Sequence, residues 1–183
     1  MKNYETLIIT EPKNRLLEVT LSRPKQLNAL NTLMLNELFN LTSELRGNLS
    51  DKYNAIIISG AGRAFCSGGD LKEFLGIYEK ENSIIETYIS KFLRLSKILN
   101  ELPIPTIACL HEAVAGGGAS IALACDIRIA AKNTQIQFNF SRIGLIPDMG
   151  AHYLLPKLIG EARSLELLYT GRPILSEEAL RIG

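Results

Sequence analysis

The alternation of apolar and polar residues along the chain predicts a mixed series of strands and helices. Two strand-like segments, at 4–10 and 15–21, open the chain. Asn31 then stands where a helix N-cap is expected, and leucines recur at helical spacing up to Gly47. This pattern predicts an amphipathic helix between the two residues. The β-branched apolar run at 54–59 predicts a buried strand.

The rest of the chain continues the alternation of strands and helices. A second long amphipathic helix is predicted over 84–102, where prolines end it. The strand predicted at 104–110 is followed by three glycines and a short apolar helix at 119–125. The other predicted elements are strands at 126–130 and 135–138 and helices at 149–159 and 162–169. The order predicts the α/β class and a single domain over 1–183.

Glycines are concentrated in two loops, each between a predicted strand and a predicted helix. The first loop runs from Gly60 to Leu71, and the second is Gly116–Gly118. Glycine allows backbone N–H groups to come close to a ligand, and Asp70 is placed to cap the helix after the first loop. Two donors from two loops would suit a transient oxyanion or enolate.

Other motifs that resemble these loops fail on spacing. A phosphate-binding P-loop needs Lys and then Ser or Thr after its last glycine, but Gly69 is followed by Asp70. A dinucleotide fingerprint starting at Gly60 needs a small residue where Phe65 stands. A nucleophile elbow around Ser120 lacks its last glycine, which disfavours a serine hydrolase.

Composition and charge exclude several classes of protein. With 46% apolar and 21% charged residues, the chain is predicted to fold into a globular domain. A net charge of +1 predicts no nucleic-acid partner. Cys66, Cys109 and Cys125 lack the spacing of a metal or redox site, which predicts a reducing, cytoplasmic location. The longest uncharged run, 113–125, is too short and too rich in glycine to cross a membrane, and the residues at 1–5 are not expected to begin a signal peptide.

Four stretches of the sequence resemble the crotonase (enoyl-CoA hydratase/isomerase) superfamily, with motifs closest to those of its isomerase members. They are Ser22–Leu30, Gly60–Leu71, Ala115–Ala130 and Ile143–Pro156. The resemblance implies an α/β fold with a crotonase-like ββα spiral core, here without the helical region that usually follows it. It also implies an acyl-CoA substrate, no separate cofactor because coenzyme A enters with the substrate, and a homotrimer or hexamer.

The same resemblance assigns roles to individual residues. The backbone N–H groups of Gly69 and Gly117 would polarise the thioester carbonyl. The residues expected to bind the substrate are Lys25, Leu27, Ala29, Ser67, Gly68, Asp70, Leu71, Gly116 and Phe140.

Acidic residues separate the activities within the superfamily. Hydratases carry two glutamates at positions where this chain has Ser120 and Phe140. Asp148 remains, at a position where certain isomerases carry their base, although an aspartate there could also cap the helix that follows. Apolar neighbours are expected to raise the pKa of Asp148. His152 is expected either to be a plain exposed or buried histidine or to act as a second proton carrier.

An enoyl-CoA isomerase is therefore the function that the sequence favours. A thioester hydrolase of the hydroxyisobutyryl type uses the same Asp148 position but adds a glutamate where Phe140 stands. The sequence also leaves open an enoyl-CoA hydratase and a non-catalytic acyl-CoA-binding or scaffold protein. The many apolar residues between Met149 and Tyr169 exceed what two terminal helices are expected to bury, which predicts self-association.

Overall fold

Two β-sheets with helices packed on them organise the chain, and the computed structural model describes residues 3–47, 51–78, 90 and 93–183. The strands in this part of the chain are β1 Leu7–Thr10, β2 Leu16–Leu21, β3 Ala55–Gly60, β4 Ala64–Cys66, β5 Thr106–Leu110, β6 Ala113–Ala115, β7 Ile127–Ala130, β8 Gln135–Gln137 and β9 Pro173–Leu175. The larger sheet has five of them in the order β1-β2-β3-β5-β7, and the smaller has four in the order β4-β6-β8-β9. β1 and β9 are antiparallel to their neighbours, and the other pairs are parallel.

Helices connect and cover the strands. Short 3-10 turns occupy Pro24–Gln26 and Asn139–Ile143. The α-helices are α1 Thr32–Arg46, α2 Leu71–Tyr78, α3 over 93–100, α4 Gly117–Ala124, α5 Ala151–Ile159, α6 Glu161–Thr170 and α7 Ser176–Ile182. The α/β class predicted from the sequence is confirmed.

Helix α1 shows how directly some local signals act. The Asn31 side chain accepts a hydrogen bond from the Met34 N–H at 3.0 Å, and the helix ends at Arg46 with Gly47 as its C-cap. The leucines at helical spacing, with Leu35 and Leu45 among them, are buried in the core. Burying one such side chain contributes about 1.5–3 kcal/mol, so the apolar stripe holds α1 on the protein.

Two short strands that the hydrophobic pattern did not predict lie in or next to the glycine loops. β4 lies inside the first loop, and β6 lies between β5 and the glycine triplet. Both strands have three residues and lack alternation, so their hydrogen bonds to each other define them. The predicted helix over 84–102 is described only in part, since residues 79–89 and 91–92 lie outside the described residues.

The apolar segment 149–169 packs more completely than the sequence led us to expect. Six of its ten large apolar residues are buried: Met149, Leu154, Leu155, Ile159, Leu167 and Leu168. Tyr153, Leu158, Leu165 and Tyr169 remain exposed. α5 and α6 pack against each other and the core, which buries more than half of these residues, while the four exposed side chains leave part of the expected apolar surface open.

Within the described ranges, no helix combines the length and apolar character that crossing a bilayer requires. The same residues contain no group of three His, Cys, Asp or Glu side chains placed to hold a metal ion.

Candidate active site

The first glycine turn follows β4 and presents a free backbone donor. Gly69 forms an isolated parallel bridge with Leu30, whose N–H donates to Gly68 O at 2.7 Å and whose carbonyl accepts from Asp70 N–H at 3.0 Å. In a parallel pairing of this kind, the bonds use the residues on either side of Gly69. The N–H of Gly69 therefore points away from Leu30.

Asn28 holds this turn in place, although no sequence motif predicted a role for it. Its side chain is fully buried, and its amide nitrogen donates to the carbonyls of Ala61, Ala64 and Phe65 at 2.8–3.2 Å. Its amide oxygen accepts from Arg23 N–H at 2.8 Å. Asn28 also has a φ of +56°, a conformation that asparagine tolerates better than most residues. An asparagine between apolar neighbours was the signal that could have identified it.

The second glycine turn follows β6 and supplies a donor of a different kind. Gly116, with a φ of +48°, is the N-cap of α4, and Gly117 is the first residue of that helix. An N–H in the first helical turn has no acceptor within the helix, so the Gly117 N–H is available to a ligand. The two turns are in contact, because a Cβ added to Gly68 would lie 3.4 Å from the Gly117 nitrogen.

A cavity of about 90 Å³ lies between the two turns and the segment that carries Asp148. Eight of the predicted site residues line it: Ser67, Gly68, Gly69, Leu71, Gly116, Gly117, Phe140 and Asp148. Four further residues complete the lining: Phe74, Asn139, Ile143 and Leu145. Phe74 and Asn139 were not predicted, because nothing in their local sequence marks a site.

Four predicted substrate-binding residues lie outside this cavity. Lys25 and Leu27 are exposed, and Ala29 is buried. This stretch still lies beside the first turn, because Ser67 N–H donates to Leu27 O at 3.0 Å. The Asp70 carboxylate pairs with Arg23 at 2.9 Å and accepts a long hydrogen bond from Glu73 N–H at 3.4 Å, so it acts as an ion-pair partner and as a cap of the helix that follows.

Asp148 is the acidic side chain of the cavity. Burial raises its pKa to about 6, and the nearby His152 acts in the opposite direction. The upward shift is in the direction predicted from its apolar neighbours. A carboxyl with a pKa close to neutrality can both take up and release a proton under physiological conditions.

Two other polar side chains near Asp148 are already engaged. His152 is exposed, and its Nδ1 lies 3.0 Å from the Pro147 carbonyl oxygen. Ser120 is fully buried, and its hydroxyl lies 3.3 Å from Gly116 O and 3.2 Å from Asp148 O. A buried hydroxyl between two carbonyl oxygens does not fit a nucleophile, which agrees with the rejection of a serine hydrolase.

Comparison with known proteins shows the family of the chain. A family model described as enoyl-CoA hydratase/isomerase matches residues 11–183. The chain belongs to the enoyl-CoA hydratase/isomerase family. This places it in the crotonase superfamily, as its motifs indicated.

Individual relatives show how far the family likeness extends. The chain is 39% identical over 166 residues to a probable enoyl-CoA hydratase from Rhodobacter capsulatus, covering 90% of this chain and 62% of the relative. It is 38% identical over 168 residues to an enoyl-CoA isomerase/hydratase from Zymoseptoria tritici, covering 90% and 54%. The crystal structure of an enoyl-CoA hydratase from Bacillus anthracis superposes with a TM-score of 0.91 at 32% identity, covering 98% and 68%. The chain thus spans roughly half to two thirds of these relatives.

Proposed function

We propose that the chain is an enoyl-CoA isomerase that moves a carbon–carbon double bond along an acyl-CoA thioester. One observation carries the proposal. Among the described residues that line the cavity, Asp148 is the only ionisable side chain, and the cavity also holds Gly69 and Gly117. One base and an oxyanion site are the groups that double-bond migration requires.

The proposed reaction uses these groups in two proton transfers. Asp148 removes a proton from the carbon next to the thioester carbonyl, and the N–H groups of Gly69 and Gly117 hold the enolate oxygen. The protonated Asp148 then returns the same proton two carbons farther along the chain, and the double bond moves into conjugation with the carbonyl. The proton is conserved, so the proposal includes no cofactor besides the coenzyme A of the substrate. Outside the cavity, the proposal keeps Lys25, Leu27 and Ala29 as part of the path for coenzyme A.

Hydration is the main competing function, because the names of several relatives include hydratase. Adding water needs groups that position the water and transfer its proton. At the two positions where hydratases carry glutamates, Ser120 is buried and hydrogen-bonded, and Phe140 is apolar. This arrangement favours isomerisation over hydration.

The decisive experiment replaces Asp148 by the isosteric asparagine. Asp148→Asn is expected to lower the isomerase rate by about 10²–10⁴-fold, because the base is lost. Its affinity for acyl-CoA should stay within a few-fold of the unmodified chain, because the shape is kept. The rates are measured on a panel of acyl-CoA thioesters assayed for double-bond shift, hydration and thiol release.

The surface variant Asp51→Asn is the matched control, since Asp51 is exposed. Unchanged isomerase turnover in Asp148→Asn would refute the assignment. Binding of acyl-CoA without any turnover by the unmodified chain would support a non-catalytic acyl-CoA-binding protein instead.

The pH dependence of the reaction offers a second test. Because Asp148 must be ionised to act as a base, kcat should rise with pH through about 6. Stability should change in the opposite sense: the folded carboxyl binds its proton more tightly than an ordinary aspartate, whose pKa is about 3.9. Its stabilising contribution is therefore complete below about pH 4 and lost as the pH rises through about 6. In Asp148→Asn, the free energy of unfolding measured by urea denaturation should no longer show this loss between about pH 4 and about pH 6. The same pH dependence in the variant and the unmodified chain would contradict the argument.

The proposal extends to self-association, as a homotrimer or hexamer, and to a cytoplasmic location. Ile127, Ile129 and Leu180 are at least half exposed, and a mostly apolar groove of about 610 Å³ lies between β7, α5 and α7. Exposed apolar surface of this kind favours association. The cysteines at 66, 109 and 125 are free thiols, which suits a reducing compartment. A monodisperse monomer in light scattering would contradict self-association.

A further inference from the structure

Ser120 is the one polar side chain of α4, and the proposed isomerisation gives it no part. The other seven residues of this helix are glycine, alanine, isoleucine or leucine, and all eight are buried. Alanine has the higher helix propensity and carries no hydroxyl to desolvate. The hydroxyl of Ser120 therefore needs a reason beyond forming and packing the helix.

The two carbonyl oxygens beside Ser120 do not need its hydroxyl for their own hydrogen bonding. Gly116 O already accepts the Ser120 backbone N–H at 3.0 Å, and Asp148 O accepts the Ala151 N–H at 2.9 Å. The hydroxyl has one hydrogen to donate, with Gly116 O and Asp148 O both within reach. What it adds is a direct link between α4 and the main chain of Asp148, 28 residues away in sequence.

The backbone next to Asp148 is one that its surroundings must hold. Met149 is fully buried with a φ of +47°, and Gly150 follows with a φ of +78°. A non-glycine residue in this region is costly and persists where neighbouring structure maintains it. The Ser120 hydroxyl contacts the residue at which this turn begins.

We propose that Ser120 is a positioning residue, whose hydroxyl ties the main chain of Asp148 to the glycine turn that carries Gly116 and Gly117. The link sets the distance between the base and the oxyanion site. It acts through Asp148 and does not contact substrate. This inference rests on the proposed isomerase function.

The chain contains a matched control for the test. Ser164 is also fully buried near the start of a helix, and its hydroxyl donates to Gly160 O four residues earlier, at 2.7 Å. Gly160 is the N-cap of α6, as Gly116 is of α4. Ser164→Ala therefore removes the same local hydrogen bond as Ser120→Ala but leaves the main chain of Asp148 untouched.

The kinetic test compares these two variants. Ser120→Ala is expected to lower kcat about tenfold or more with KM within twofold, because small displacements of a catalytic group reduce the rate steeply. The acidic limb of its kcat–pH profile should move to lower pH, since a less constrained carboxyl is better hydrated. Ser164→Ala should leave kcat and the profile unchanged. Equal kcat values and profiles for the two variants would overturn the inference.

A second readout does not depend on turnover. Carbon-13 NMR titration of the Asp148 carboxyl, assigned by its absence in Asp148→Asn, should give a lower pKa in Ser120→Ala than in the unmodified chain. If the unmodified chain fails to isomerise enoyl-CoA, the proposed function fails. The titration still tests the link between Ser120 and Asp148, because an equal Asp148 pKa in Ser120→Ala and in the unmodified chain refutes it. If Ser120→Ala does not fold, Ser120→Cys keeps the shape of the side chain, with a slightly larger atom and a weaker donor. Unmodified rate and pKa in that variant would equally refute the link.

Discussion

The two strand–glycine–helix units share a local plan but hold their donors by different means. β4 and β6 are parallel neighbours, and each leads through a glycine with positive φ, Gly68 or Gly116, into a helix. All eight residues of α4 are buried, so packing positions the second donor. In α2 the leucines at 71 and 75 are about half exposed, and an ion pair from Arg23 to Asp70 precedes the helix.

The same sequence pattern is therefore stabilised by apolar packing in the unit with α4 and by an ion pair in the unit with α2. In the packed unit, which ends in α4, a larger side chain should lower the free energy of unfolding. In the exposed unit, which ends in α2, removal of a charge should lower the free energy of unfolding by a smaller amount. The donors themselves should matter for the rate in both, because Gly69 and Gly117 line the same cavity.

The largest expected effect comes from removing the donor of the packed unit. Gly117→Pro deletes the N–H at the first position of α4, where proline is tolerated by helices. Loss of one oxyanion donor costs about 2.7–4 kcal/mol, so kcat should fall about 10²–10³-fold. Steady-state assays of the double-bond shift measure kcat, and urea denaturation tests whether the variant is folded. A folded variant with unmodified kcat would show that Gly117 does not hold the enolate.

A smaller effect is expected when the packing between the two units is disturbed. A Cβ at Gly118 would lie 2.5 Å from Cys66 O and 2.6 Å from Cys66 Cβ, which places it against the main chain of β4. Overpacking of this kind costs about 1–3 kcal/mol or more, so Gly118→Ala should lower the free energy of unfolding by that amount. Gly69→Ala is the control, because no atom lies within 4 Å of its added Cβ. Equal stability of the two variants would contradict the packing argument.

The smallest effect is expected at the polar anchor of the exposed unit. Asp70→Asn removes the charge that faces Arg23, where both side chains are largely buried. A hydrogen bond to a charged group contributes about 1.5–3 kcal/mol when buried, and partial exposure should reduce the loss to about 1 kcal/mol. Urea denaturation at low and high salt measures it. Glu11→Gln, which breaks the exposed pair with Lys52, should change stability less, and the reverse order would refute the distinction.

Much of the fold followed from local signals that act within a few residues. The Asn31 cap, the leucine stripe and the terminal Gly47 predicted α1, because capping and helical periodicity need no distant partner. The strand at 54–59 was found within one residue of its observed bounds, Ala55–Gly60. β4 and β6 were missed because three-residue strands carry no period and exist through pairing.

For the candidate site, too, some features followed from the local sequence and others only from tertiary structure. The sequence alone determined which chemistry the chain can carry: two glycine turns, one acidic residue at 148, and no glutamate at 120 or 140. Tertiary structure decided which of these groups share a cavity. It also decided that burial raises the pKa of Asp148, that Asn28 braces the first turn, and that Ser120 reaches the main chain of residue 148. Desolvation and hydrogen bonds between residues about 30 positions apart depend on how the chain packs, and local sequence patterns do not encode them.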